Sequence, residues 1–136
     1  MIKFRAWDKE SKTMGTVRRI TWTNGDITDV YLENIGLRRL DQVILMQSTS
    51  LKEKYGVEIF DGDILSRKTH IWMYGSNLNE WVTESYPVVW QDGGWYLNEE
   101  PLAFILEEGV YRDGFRRTAL EVIGNIWEDG DLLDSE

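Results

Sequence analysis

The chain has 136 residues, no cysteine and a formal net charge of -9 at pH 7. This length fits one domain or two small subdomains and suffices to bury a core without disulfides. The lack of cysteine excludes disulfides and thiolate metal sites. The longest uninterrupted apolar run, residues 102–106, is far too short to span a membrane, and the N-terminus lacks the apolar core of a signal peptide. We therefore expect a cytoplasmic protein that does not contact membranes.

The charge is unevenly distributed along the chain. Residues 1–54 carry ten basic and seven acidic side chains (+3), and residues 55–136 carry five basic and seventeen acidic ones (-12), which together give -9. Acidic proteins bind nucleic acid poorly, because affinity for phosphate comes mainly from Lys and Arg. The asymmetry leaves three interpretations open, namely contact between copies, docking on a basic partner, and an ordinary solvated surface.

Alternating apolar and polar residues predict a three-stranded meander at the N-terminus. The three alternating segments are residues 2–7, 14–23 and 27–32. Asn24 and Gly25 separate the last two, and Asn-Gly between such segments is a strong hairpin signal. Residues 34–42 fit a single helical turn or an irregular link equally well, and residues 43–47 predict a buried strand.

The sharpest turn signal of the sequence lies in residues 55–65. It predicts a reversal at Asp61-Gly62, followed by a strand that begins at Asp63, because glycine tolerates the positive φ of a reversal. The polar residues 48–54 before it predict a joint between two subdomains. The predicted subdomains are an N-terminal β subdomain, residues 1–50, and a C-terminal barrel-like β subdomain, residues 51–136.

The second half of the chain predicts further strands, at residues 64–74, 80–90, 95–97 and 120–127. Pro87 interrupts the second of these and suggests an edge or a bulge, because proline cannot donate a ladder hydrogen bond. A four-residue hairpin loop at residues 91–94 places Trp90 opposite Trp95. Gly124 suggests a bulge in the last strand.

Residues 98–117 show the least regular pattern. Within them, residues 102–106 fit a strand or a short turn of helix. Nearer the C-terminus, residues 129–133 fit a terminal helical turn. Many short strands separated by turn signals predict an all-β fold with one or two short helical turns. We expect an N-terminal β-meander joined to a C-terminal unit that is SH3-like or barrel-like.

Acidic clusters and the single histidine are the candidates for chemistry. Glu58, Asp61 and Asp63 could bind a divalent cation, but their spacing does not fit an EF-hand and aspartate is common at turns, so we expect a structural use. The three aspartates of residues 129–134 fit a solvated terminus. His70 lies inside a strand and away from any nucleophile motif, which favours a surface or packed histidine. No catalytic residue, metal or cofactor is predicted.

Tryptophan and arginine provide the candidate interaction residues. The chain has seven tryptophans, which in β proteins usually fill the core or cover sheet faces. Exposed ones can instead form a stacking platform for bases or peptide side chains, for which the candidates are Trp72, Trp81, Trp90 and Trp95. Two basic patches are also possible, the first of Arg18, Arg19, Arg38 and Arg39 and the second of Arg112, Arg116 and Arg117.

Three blocks of sequence carry a resemblance to a known family. They are IKFRAWD at residues 2–8, LMQST and LKEKYGVEIFDGDIL within residues 45–65, and EVIGNIWE at residues 121–128. In this order and spacing they resemble the YopX family of phage and prophage proteins, whereas residues 67–117 match little beyond GGWY at residues 93–96. The resemblance implies a small, mostly β protein that is encoded on a mobile element and acts in a bacterial cytoplasm. It brings no established activity and no catalytic residues.

Two main functional hypotheses follow. The first is a non-catalytic module that binds an unidentified protein partner or associates with itself as a homo-oligomer. The second is a barrel that binds single-stranded nucleic acid through Trp and Arg residues, which the net charge disfavours. A hydrolase with an acidic site at Glu58, Asp61 and Asp63 ranks third. The predicted interaction surface comprises Arg18, Arg19, Arg38, Arg39, Trp72 and Trp81.

Overall fold

A computed structural model of the chain describes residues 3–106, 110–112 and 115–134. The described residues form short strands in two antiparallel sheets, with helical segments of a single turn, so the predicted all-β class is confirmed. The chain divides into two compact units, Met1–Ser50 and Leu51–Glu136. Within the described ranges, no helix has the length and apolar character that crossing a bilayer requires.

The first unit is an antiparallel meander. Its strands are β1 (Phe4–Asp8), β2 (Thr13–Thr23), β3 (Asp26–Leu32), β4 (Gly36–Arg39) and β5 (Val43–Lys52), with a 3₁₀ turn at Leu40–Gln42 before β5. The order of neighbours is β4-β3-β2-β1-β5, which confirms the predicted meander. Asn24 and Gly25 form the predicted hairpin turn, with φ values of 54° and 87°. Residues 34–42 contain β4, a strand that the sequence pattern did not reveal, in addition to a helical turn.

The second unit is organised around one central strand, Asp63–Trp72. Its elements are β6 (Glu58–Phe60), β7 (Asp63–Trp72), β8 (Asn79–Gln91), β9 (Gly94–Leu97), β10 (Glu100–Pro101), α1 (Leu102–Ile105), β11 (Val110–Arg112), β12 (Phe115–Arg117), β13 (Glu121–Asn125) and α2 (Asp131–Asp134). β7 pairs with β8 along one side and with β12 and β13 along the other. The order is β10-β9-β8-β7-β12-β11. In the described part of the chain no ladder joins the outer strands β10 and β11, so the sheet is open and the predicted barrel is not closed.

The β8–β9 region confirms one local expectation, the edge at Pro87, and corrects another, the length of the turn. β8 continues through Pro87 without a bulge, and Pro87 is an edge position because β9 pairs only with the residues that follow it. The β8–β9 turn has two residues rather than four, Asp92 and Gly93, with φ values of 49° and 79°. Trp90 nevertheless lies opposite Trp95, as predicted.

The C-terminal strand has the predicted bulge. The register of β13 against β7 shifts between Val122 and Gly124. A Cβ on Gly124 would collide with the carboxylate of Asp129, which accepts a hydrogen bond from the Asn125 N–H at 3.1 Å. Glycine is therefore required here because a side chain of the next turn occupies the space of a Cβ.

Each unit has its own apolar core. In the first unit the buried cluster comprises Ala6, Val30, Leu32 and Val43. In the second unit it comprises Ile59, Leu65, Val88, Leu97, Leu102 and Leu120. Each fully buried Val, Leu or Ile side chain stabilises the fold by about 1.5–3 kcal/mol. The helical turn α1 contributes Leu102 to this core, whereas its Phe104 is exposed.

Two of the buried carboxylates, Asp8 and Glu53, each hold several groups of one unit together. Asp8 is fully buried, and it accepts hydrogen bonds from the Ser11 hydroxyl at 2.5 Å and from Arg38 Nε at 3.1 Å. Since a buried charge is costly without partners, this network fixes the end of β1.

Glu53 has the corresponding role in the second unit. It is almost fully buried, and its Oε1 accepts hydrogen bonds from the N–H groups of Tyr55 at 2.6 Å and Val57 at 3.1 Å. Its Oε2 accepts one from the Val122 N–H at 3.3 Å. A single carboxylate therefore ties the turn after β5 to β13.

The buried and the exposed Asp–Arg pairs of the first unit give a matched test. We expect Asp8→Ala to lower the free energy of unfolding by about 3–5 kcal/mol, because it leaves Arg38 without its buried partner. Asp41→Ala removes a pair of similar length (3.2 Å to Arg39) in which both side chains are exposed, so we expect a loss of about 1 kcal/mol or less. Urea unfolding followed by tryptophan fluorescence measures both; similar losses for the two variants would contradict the role given to Asp8.

Asp8 also makes the stability depend on pH. The hydrogen bond from the Ser11 hydroxyl and, after it, the bonds and charge of Arg38 lower the pKa of Asp8, although burial acts in the opposite direction. A carboxyl whose folded pKa lies below its unfolded value of about 3.9 stabilises the fold above that value. This stabilisation is lost as the pH falls through the folded pKa. Urea unfolding at a series of pH values below 5 should therefore show a smaller acid loss in Asp8→Asn than in the natural chain.

Candidate interaction surface

The β7–β8 hairpin is the longest strand pair in the second unit. Its register is regular from Ile64 opposite Pro87 to Trp72 opposite Asn79. Opposite residues share a face of the sheet, and the faces alternate with a period of two. The far end of the hairpin therefore has two faces with different side chains, and the aromatic residues gather on one of them.

Four residues on this face make the feature that we call the His–Trp cluster: His70, Trp72, Asn79 and Trp81. The ring of His70 stacks on that of Trp81, with centroids 4.6 Å apart and planes 14° apart. The ring of Trp72 also contacts that of His70, with centroids 5.1 Å apart and planes tilted by 36°. Asn79 Oδ1 lies 2.5 Å from His70 Nε2 and orients the imidazole. The structure thus brings together the two predicted tryptophans, Trp72 and Trp81, through a histidine.

Other exposed apolar residues lie at the same end of the hairpin as the His–Trp cluster. Trp81 is 57% exposed, and Met73, Tyr74 and Val82 are also exposed. Single exposed apolar residues are normal, whereas several together at the end of one hairpin are typical of an interaction site. Because the outer face of Trp81 remains accessible beside His70, it offers a flat apolar surface to a partner.

The four predicted arginines of the first unit do not form one patch. Arg38 is opposite the buried Val30 and binds Asp8, whereas Arg19 is opposite Tyr31 on the other face of the sheet. The Arg19 guanidinium lies 4.9 Å from the centroid of the Tyr31 ring. Arg18 pairs with Glu33 at 2.6 Å and Arg39 with Asp41 at 3.2 Å. Three of the four charges are thus compensated by carboxylates.

The other predicted aromatic and basic residues lie apart from the His–Trp cluster. Trp90 and Trp95 contact each other edge to face, with centroids 4.9 Å apart, at the β8–β9 hairpin. Since residues 81 and 90 differ in parity along β8, Trp90 faces the opposite side of this strand from Trp81. The side chains of Arg112 and Arg116 lie outside the described part of the chain.

Arg117 lines a polar cavity on the face opposite the His–Trp cluster. The cavity has a volume of about 170 Å³ and is also lined by Arg67, Glu84 and Glu100. Arg67 is only 11% exposed and lies between Glu84, at 3.2 Å, and Glu100, at 3.6 Å. Because Arg67 is neutralised by these two glutamates, we interpret the cavity as structural and not as a binding site for a charged ligand.

The acidic candidates have local structural contacts. Asp63 is buried, and its Oδ2 accepts a hydrogen bond from the Phe60 N–H at 2.8 Å, which closes the turn at residues 61–62. Asp129 accepts the bond of Asn125 described above, whereas the side chain of Asp134 is outside the described part. Among the described residues, no group of three His, Asp or Glu side chains converges on a point that could hold a metal ion. Sequence reasoning missed Glu53, because nothing in a single acidic residue between two lysines signals burial.

The described chain is thus a small all-β protein of two antiparallel units with an exposed aromatic hairpin end. The family model described as "YopX protein" matches residues 3–134, and the chain belongs to the YopX family. It is also similar to the crystal structure of protein EF1440 from Enterococcus faecalis, with a TM-score of 0.65 and 27% sequence identity over 98% of each chain. No curated protein matches the chain.

The exposure of Trp81 predicts that its side chain contributes little to folding. We expect Trp81→Thr to lower the free energy of unfolding by about 1 kcal/mol, the typical contribution of an aromatic pair. Trp95 packs against the core of the second unit, so Trp95→Thr should cost about 3 kcal/mol or more. Urea unfolding compares the two variants; an equally large loss for Trp81→Thr would show that Trp81 is a core residue.

Proposed function

We propose that this YopX-family chain is a non-catalytic interaction module that associates with itself through the exposed end of the β7–β8 hairpin. The observation that carries the proposal is the His–Trp cluster, in which a largely exposed Trp81 is held in a fixed orientation by His70. A rigid aromatic side chain on a strand is a typical anchor of protein interfaces, because it buries a large area at a small cost in entropy.

The placement of the polar groups supports binding rather than chemistry. His70, the single histidine of the chain, contacts Asn79 and two tryptophans. The buried carboxylates Asp8 and Glu53 accept hydrogen bonds that hold the backbone. Each of these groups has a structural contact that accounts for its position.

The family membership adds a biological setting to this proposal. Because the YopX family consists of phage and prophage proteins, we infer that the chain is encoded on a mobile element and acts in the cytoplasm of a bacterial host. A small interaction module of this kind needs no cofactor.

Light scattering after size-exclusion chromatography tests self-association. We expect a mass above that of one chain for the natural protein, with a larger oligomeric fraction at high salt, because salt screens the repulsion between chains of net charge -9. Trp81→Thr should shift the population to the monomer. Trp22→Thr is the matched control, since Trp22 is equally exposed, at 61%, but lies on β2 of the first unit.

Two results would count against the proposal. A strict monomer at all salt and protein concentrations would rule out self-association. Equal effects of Trp22→Thr and Trp81→Thr would show that the hairpin end is not the contact surface.

Binding of single-stranded nucleic acid is the second candidate function. The observation in its favour is the parallel His70–Trp81 stack, whose free face could accept a base. The compensated arginines and the net charge oppose it, because phosphate contacts supply most of the affinity. Titration with a single-stranded oligonucleotide at low salt decides the matter; unchanged tryptophan fluorescence excludes this function.

A further inference from the structure

We infer that β8 pairs with β8 of a second copy of the chain, edge to edge and antiparallel, about a twofold axis at Trp81. This inference rests on the proposed self-association and specifies its geometry. The two β7–β8 hairpins would then form one continuous sheet across the dimer. Three observations carry it: the free edge of β8, the direction of its backbone groups, and the charges that each register brings together.

The first half of β8 is an edge. β7 pairs with β8 from Asn79 to Pro87, whereas β9 pairs with β8 only from Val88 to Gln91. In the described part of the chain, no strand therefore pairs with residues 79–83 on the side away from β7. All five of these residues are exposed. An exposed edge with apolar side chains is a template for pairing with another strand.

The backbone groups that this edge presents can be assigned. The Met73 N–H donates to the Leu78 carbonyl just beyond the two strands, so this hydrogen-bonded pair continues the register of the β7–β8 ladder. Such pairs alternate along an antiparallel ladder, so the even-numbered residues of β8 direct their N–H and C=O groups towards β7. Asn79, Trp81 and Thr83 consequently direct theirs away from it.

Lys68 provides an independent check of this assignment. Its N–H donates to the Thr118 hydroxyl at 2.9 Å, and its carbonyl accepts from the Thr118 N–H at 2.9 Å. Both backbone groups of Lys68 thus point away from β8. Thr83 lies opposite Lys68 in the register, and so its own N–H and C=O groups point to the free edge.

Only a few registers are twofold symmetric and also place the outward-pointing residues Asn79, Trp81 and Thr83 opposite one another. With Trp81 opposite Trp81 of the second copy, Asn79 lies opposite Thr83, and each of these pairs can exchange two hydrogen bonds. Glu80 then lies opposite Val82. The neighbouring registers, shifted by one step in either direction, place Glu80 opposite Glu80 or opposite Glu84, and like charges directly opposite each other are unfavourable.

The register at Trp81 also suits the side chains around it. It brings two exposed tryptophans side by side on the face of the His–Trp cluster, and aromatic cross-strand pairs are favourable. Glu84, which would lie near the end of the paired segment, already has Arg67 at 3.2 Å. Among these three registers, the one at Trp81 alone avoids opposed glutamates and also pairs the two tryptophans, and this self-complementarity favours a second copy over an unrelated strand.

Charge substitutions at Val82 test the register by sedimentation equilibrium of the full chain. Val82→Lys places a lysine opposite Glu80 at two symmetric positions, and we expect the dimer Kd to become about 2- to 30-fold tighter. Val82→Glu places like charges at the same two positions and should weaken the dimer by a similar factor. Equal shifts in one direction, or no shift, would overturn the inference.

Thr83→Pro tests the hydrogen bonds of the edge. It removes an N–H that points away from β7, as Pro87 does in the natural chain, so the β7–β8 ladder keeps its bonds. We expect the dimer to be lost, whereas the control Thr83→Val, which keeps the N–H, should remain a dimer. If Thr83→Pro does not fold, the Val82 variants decide the question.

The outcomes separate this inference from the proposed function. A natural chain that is monomeric under all conditions overturns both, and leaves the β8 edge to a strand of a different protein. A dimer whose Kd is unchanged in the Val82 and Thr83 variants overturns only the β8 pairing, because the chain then self-associates through another surface.

Discussion

The structure of the second unit depends on how β7 divides its backbone hydrogen bonds. β7 lies between β8 on one side and β12 and β13 on the other, and its residues point alternately to the two sides. The N–H and the C=O of Lys68 both bond to Thr118, on the side away from β8. Because the direction alternates along the strand, this one residue shows which residues of β7 bond to β8 and which do not. The same alternation explains why Pro87 is tolerated within β8: its missing N–H would have pointed away from β7.

The charged side chains fall into two groups, those that are buried and stabilise the fold and those that face solvent. Despite the net charge of -9, the carboxylates that are most buried, Asp8, Glu53 and Asp63, accept hydrogen bonds from nearby backbone or side-chain groups. Arginine is used in the same way, since Arg38 and Arg67 each bind carboxylates with little exposure of their own. What remains accessible at the hairpin end is mainly aromatic, and this favours a protein partner over a phosphate backbone.

The sequence predicted the strands better than it predicted their neighbours. Period-two alternation and the Asn24-Gly25 turn were sufficient for the meander, and the short β8–β9 turn fixed the Trp90–Trp95 register despite an error in loop length. The His–Trp cluster was not predictable in this way. A loop of six residues separates β7 from β8 and does not determine their register, so nothing local places His70 opposite Trp81. The pair between Arg38 and Asp8 was missed because the two residues are 30 positions apart in the chain.

The exposed edge of β8 has to be reconciled with solubility. Edge strands commonly carry charged residues or proline, which discourage indiscriminate pairing. β8 has both, with Glu80 and Glu84 on one face and Pro87 at the end of its free edge, yet it places Trp81 and Val82 between the two glutamates. The glutamates penalise the two registers next to the one at Trp81, and the proline limits the length that can pair, so indiscriminate growth of the sheet is opposed. Trp81 and Val82 favour one short pairing centred on Trp81. An edge of this composition is suited to a limited, specific contact.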